Sequence, residues 1–141
     1  MRAEDYIRAL GLAPHADEGG WLAPRWRSAD DVTVSAVYYL LHAGEISRWH
    51  RLRRSNEIWT GHAGGALEMT LGGSGDWPGA ERPTVPLDAQ HPTAVVPAGV
   101  WQTTRVAAGD FALVTCVVAP AFQDADCELP HPSVEEVEGR G

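Results

Sequence analysis

Lysine is absent from this 141-residue chain, and all eleven basic residues are Arg. Without an ε-amine there is no Schiff-base chemistry, no lysine-anchored pyridoxal cofactor and no Walker-type phosphate loop. Positive charge is scarce as well: the eleven Arg stand against nineteen Asp and Glu, for a formal net charge of −8 and a pI near 5.1. A field of that sign repels phosphate backbones, so nucleic acid is not expected as a partner. The two cysteines, Cys116 and Cys127, are too few for a disulfide framework or a four-thiolate zinc site and read as reduced thiols. No stretch approaches the roughly 18 uninterrupted apolar residues of a membrane span. The N-terminal MRAEDYIRALGLAP carries Glu4 and Asp5 where a signal peptide would be apolar. The expectation is a cytoplasmic protein with no membrane partner.

At about 100–200 residues per domain the length gives one domain. Fifteen Gly and ten Pro, with 44% hydrophobic residues, suit a turn-rich β protein better than a helical bundle. Tyr6, Ile7 and Leu10 share one face at helical spacing and Gly11 follows as a C-cap, which predicts a short helix over Ala3–Leu10. From Gly19 onward the pattern changes to short β-favouring runs: Trp21–Arg27, Val32–His42, Glu45–Leu52, Glu57–Thr60, Ala66–Leu71, Ala94–Val96, Val100–Val106 and Phe111–Val118. A turn-rich excursion over Gly72–His91 holds one more edge strand near Thr84–Leu87. So many short strands in one small domain predict a sandwich or a barrel. The acidic segment 130–141 is read as a flexible tail.

The chemistry concentrates in Gly44–Gly64, GEISRWHRLRRSNEIWTGHAG. Alternation puts His50 and Leu52 on one face and Arg51 and Arg53 on the other, and the Arg54-Ser55-Asn56 turn returns Glu57 and Trp59 to the His50 face. A His and a Glu facing each other across a hairpin inside a barrel can bind a metal or move a proton. Tyr38 and Glu68 are expected to point inward from neighbouring strands, while Cys116, in the apolar run Phe111–Val118, reads as an inert core thiol.

Gly44, His50, Leu52, Glu57 and Gly64 have the spacing of the first cupin motif, with Leu52 in place of its second histidine. Pro97-Ala98-Gly99 matches the PxG of the second motif, with Gln102 at its histidine position. With Pro14-His15, Glu18-Gly19-Gly20, Arg27-Ser28, Tyr38, Ser47, Trp49-His50-Arg51, Glu57-Ile58-Trp59, Trp101-Gln102 and Cys116 ahead of Ala119-Pro120 and Phe122, the chain resembles the cupin subfamily DUF985, or Cupin_5. It departs at Asp17, which reads as an insertion, at Ala121 in place of Gly and at Cys127 in place of an aromatic.

The resemblance implies an all-β, single-domain cupin, a double-stranded β-helix or jelly-roll barrel with one short N-terminal helix, over residues 1–129. It also implies a small-molecule ligand in the barrel. The expected chemistry is that of an isomerase, epimerase or lyase acting on a sugar-like or small carboxylic-acid metabolite. His50 would serve as general base or acid, Glu57 would set its tautomer, and Gln102 with Tyr38 would polarise a carbonyl. Ser47, Trp59 and Glu68 are expected at the ligand, and the Arg27 guanidinium would fix a carboxylate or phosphate. A non-catalytic binding module stands as the alternative, and a metal-dependent oxygenase after it. A divalent metal, if bound, would take His50, Glu57 and Gln102 as ligands, because Leu52 cannot ligate. Small cupins commonly pair, and apolar strand residues such as Val34, Val37 and Leu41 are a surplus for one small barrel. A homodimer is therefore expected.

Overall fold

Residues 1–80 and 83–130 are described by the computed structural model, so the expected tail falls, past Pro130, outside the described residues. Helix α1 (Ala3–Leu10) opens with Glu4 and Asp5 in its first turn, where carboxylates suit the helix dipole, and closes on Gly11 in the left-handed conformation. The strands follow as β1 (Ala13–Pro14), β2 (Trp21–Arg27), β3 (Ser35–His42), β4 (Ile46–Leu52), β5 (Asn56–Leu71), β6 (Thr84–Leu87), β7 (Thr93–Val96), β8 (Gln102–Ala119) and β9 (Cys127–Glu128).

All pairings among these strands are antiparallel, and the sheet curls because β5 and β8 are long and bent. One wall is β1-β2-β3, the second half of β8, the first half of β5, then β7. The other wall is β9-β4, the first half of β8, the second half of β5, then β6. The sequence pattern divides β5 and β8 into two runs each. In the structure they are continuous, because the glycines between the runs serve as bends within the paired strands. A Cβ on Gly65 would lie 1.8 Å from the Ala108 carbonyl oxygen, and one on Gly64 would lie 2.3 Å from that of Phe111. Register shifts between Gly61 and Leu67 mark the same corner.

Two apolar clusters result. Tyr39, Leu41, Trp59, Leu67, Met69, Leu87, Val96 and Val114 fill the barrel interior. On the outer face of the first wall, α1 lays Tyr6, Ile7 and Leu10 over Leu40, Phe111 and Leu113, with the Tyr6 and Phe111 rings 5.8 Å apart. The apparent excess of apolar residues in β3 is therefore used within the chain: Leu41 faces the interior cluster, Val37 packs against it, and Leu40 lies under the helix.

Candidate active site

Between the walls, at one end of the barrel, lies a cavity of about 330 Å³. Its apolar lining includes Leu22, Val37, Leu52, Val118 and Phe122, and its polar side chains are His15, Glu18, Arg27, Ser35, Tyr39, His50, Glu57, Cys116 and Asp124.

β4 supplies the imidazole. Ser47 is paired with Thr104 and His50 with Gln102, and a register shift between them lets both side chains face the interior despite their odd spacing. His50 is 2% exposed. Its Nδ1 lies 2.7 Å from the Arg48 carbonyl oxygen, which can only accept, so Nδ1 carries a proton. In the neutral ring Nε2 is then a bare acceptor, and it stands 3.4 Å from Oε1 of Glu18.

Glu18 comes from the turn between β1 and β2, which several bonds hold in place. The Glu18 N–H donates to His15 Nδ1, Gly19 N–H to the His15 carbonyl and Arg48 N–H to the Glu18 carbonyl. The Arg48 guanidinium caps the Ala16 and Asp17 carbonyls, and the Tyr39 hydroxyl donates to the Gly19 carbonyl at 2.5 Å. Ser47 then donates to Oε1 of Glu18 at 2.8 Å.

Glu57 enters from β5, flanked by Val96 and Val118. Burial pushes its pKa up; His50 in its protonated form would oppose that shift, Glu18 adds to it, and contacts from Trp59 and Gln102 work against it. Gln102 donates from Nε2 to Oε1 of Glu57 at 2.7 Å. Trp59 Nε1 and Gln102 Oε1 are buried without a hydrogen-bond partner, so the Trp59 N–H acts on Glu57 through proximity alone. Burial also raises the Tyr39 phenol and the Cys116 thiol, which keeps both protonated in the cavity wall. At the mouth, Arg27 donates from Nε to Asp31 and from Nη2 to the Asp31 and Phe122 carbonyls. That fastens the C-terminal segment bearing Phe122 and Asp124 over the opening.

The structure thus brings His50, Glu57 and Arg27 to one cavity, with Gln102 behind Glu57 and Ser47 behind Glu18. His50 and Glu57 do not face each other across a hairpin, because β4 pairs with β8 and β9 while β5 pairs with β6, β7 and β8. Tyr38 is not in the cavity: it packs outward near the α1 cluster, and its neighbour Tyr39 points in. Every position of Tyr38-Tyr39-Leu40-Leu41 is apolar or aromatic, so alternation cannot choose the face; coverage by α1 does. Glu68 also points outward, paired with Arg105 at 3.0 Å, since Leu67 and Met69 take the interior. Trp59 lies beneath the cavity, edge-on to Tyr39 with centroids 5.7 Å apart. Sequence reasoning assigned no role to Glu18, His15 or Tyr39. The Pro14-His15 and Glu18-Gly19-Gly20 matches were the available signal.

These donors do not make a metal centre. Among the described residues no three His, Cys, Asp or Glu side chains converge at ligand spacing. Leu52 offers no lone pair, and Gln102 brings only a neutral amide oxygen.

The family model for the cupin superfamily, DUF985, matches residues 4–130. The chain belongs to this family. A hypothetical protein from Leishmania major is similar in structure, with 26% identity, a TM-score of 0.84, and coverage of 99% of this chain and 94% of that one. A protein from Shewanella oneidensis is 30% identical at a TM-score of 0.82, over 97% of this chain and 89% of that one. Oxalate decarboxylase from Lactobacillus farciminis, solved as a formate complex, shares the fold at 16% identity and a TM-score of 0.63, covering 84% of this chain and 33% of that one. No curated protein matches the chain.

Proposed function

We propose that this cupin binds a small sugar-like or carboxylic-acid metabolite in the cavity and isomerises, epimerises or eliminates from it by acid/base catalysis. The observation that carries the reading is His50: a buried imidazole whose Nδ1 is tied to a backbone carbonyl and whose Nε2 faces Glu18 at the cavity. Nε2 would take the proton from the substrate carbon, and the resulting imidazolium would be stabilised by Glu18. Glu57, whose pKa burial raises, would return a proton on the other side. The Arg48 carbonyl sets the tautomer, a role first expected of Glu57.

The second reading is binding without turnover. It is favoured because Gln102 and Tyr39 direct their donors at Glu57 and Gly19, which leaves neither to polarise a substrate carbonyl. A divalent metal would have to draw His50 and Glu57 with Gln102, and we expect well under one equivalent of tightly held metal in the purified protein. Chelator-resistant stoichiometric metal by elemental analysis, lost in His50→Ala, would reverse that view. The catalytic reading is tested by turnover of a panel of aldoses, sugar nucleotides and keto acids. His50→Asn should lower kcat by about 10²–10⁴-fold. Full activity in that variant, or none in the native protein across the panel, would leave the binding module.

A further inference from the structure

Around His50 and Glu18 the neighbouring side-chain donors are turned away from the space. His50 Nδ1–H goes to the Arg48 carbonyl, the Ser47 hydroxyl to Glu18, the Tyr39 hydroxyl to the Gly19 carbonyl and the Gln102 amide to Glu57. His15 accepts the Glu18 N–H at Nδ1, so its Nε2 proton faces Glu18 Oε2, 3.8 Å away. With His50 neutral, what remains there is a pair of acceptors 3.4 Å apart, Nε2 of His50 and the Glu18 carboxylate. Two acceptors at that distance repel unless the ring takes up a proton or a ligand donor bridges them from the cavity side.

The charged groups facing the space repeat this bias. Glu18 and Asp124 line it, together with Glu57, whose protonated form burial favours, against Arg27. Arg27 is already countered by Asp31, and its Nε and Nη2 are engaged, leaving Nη1 at the mouth. An anion at the inner end would meet a carboxylate with no free cation beside it. Leu22, Val37, Leu52, Val118 and Phe122 make the remainder of the wall apolar.

We infer that the cavity selects a ligand with an O–H or N–H donor head, a polyol or an amine, seated between His50 Nε2 and Glu18, with an apolar body against the Val37–Phe122 side, and that it rejects carboxylates and phosphates. This rests on the cavity being the ligand site proposed above. It narrows the substrate to the sugar-like class or to amines and drops the small acids. Glu18 becomes the residue that sets specificity.

The test uses three probes sharing one ring: cis-cyclopentane-1,2-diol, cyclopentylamine and cyclopentanecarboxylate, titrated into the full-length protein by calorimetry or ligand-observed NMR. The diol or the amine should bind at least about tenfold more tightly than the acid, and whichever of the two is tighter identifies the head group. In Glu18→Gln that preference should collapse and the acid should gain affinity. The comparison on the native protein stands by itself if the variant does not fold. Tightest binding by the carboxylate, lost in Arg27→Gln, would overturn the inference, as would binding by none of the three at millimolar concentration. A donor preference without turnover of any substrate would remove the catalytic reading and leave this inference standing. Turnover of a keto acid with the carboxylate probe bound best would do the opposite.

Discussion

At one end of the barrel Leu41, Leu67, Met69, Leu87 and Val114 pack into an apolar core, with a smaller cavity of about 180 Å³ at its rim. At the other, the same strands β3, β5 and β8 present Val37, Glu57, Cys116 and Val118 to a cavity, and Tyr39 against Trp59 closes the floor. The filled end gains apolar burial and dispersion contacts. The hollow end holds an imidazole and carboxylates out of bulk water, beside buried Gln102 Oε1 and Trp59 Nε1 that have no partner. Each such buried orphan costs about 1–3 kcal/mol. Stability made at one end therefore supports polar groups at the other that would not fold for their own sake.

A matched pair of leucines should separate the two ends most strongly. Leu41 is 1% exposed in the packed end and Leu52 is 6% exposed beside the cavity. Leu41→Ala should cost toward the top of the range of about 2–5 kcal/mol, with Leu52→Ala toward its bottom, because a side chain already facing space has fewer contacts to lose. Urea unfolding measures both, and equal losses would mean that the two ends are packed alike.

A smaller effect sharpens it through pH. Burial raises the Glu57 pKa above 4.5, so the native state holds this proton more tightly than the unfolded chain. Its stabilising share is fully present below the unfolded value and is lost as pH rises through the native one. Glu57→Gln keeps an acceptor for Gln102 and removes the titration. The drop in unfolding midpoint from about pH 5 to about pH 8 should then be shallower than in the native protein. An unchanged slope would assign the dependence to other groups.

The smallest effect lies outside the barrel. Arg51 and Arg53 both reach Glu128 on β9, at 3.0 and 2.9 Å, and this holds the Glu128 pKa down, first through the Arg51 hydrogen bond. The sign is opposite to that of Glu57: the contribution is present above the unfolded pKa and lost as pH falls through the lowered one. Glu128→Gln should cost about 0.2–1 kcal/mol in unfolding and leave ligand affinity unchanged. A large loss of affinity would show that the β9 clasp shapes the cavity.

Much of this was readable in advance, for reasons that differ along the chain. The helix over Ala3–Leu10 and the edge strand Thr84–Leu87 came from local pattern and capping, which act within a few residues. His50 and Glu57 could be placed inside because Arg51, Arg53 and Asn56 mark the outward positions beside them. Tyr39 and Glu68 could not be placed that way. β3 is apolar at nearly every position, and Glu68 lies past the Gly61–Leu67 bulges, where alternation restarts. Glu18 was missed because its role depends on a turn folded against β4, thirty residues away in sequence, through the Arg48 and Ser47 bonds.

By itself the sequence determined the class of fold, the family, the acidic surface and the residue types available for chemistry, since these follow from composition, short-range periodicity and motif spacing. The tertiary structure alone decided which face each ambiguous strand buries, which carboxylate meets His50, and which donors remain for a ligand. Those depend on α1 covering the outer face of β3, on the bulge in β4, and on a turn that closes over the cavity from far along the chain. Alternation fixes only relative orientation along a strand; its absolute sense comes from what packs against it.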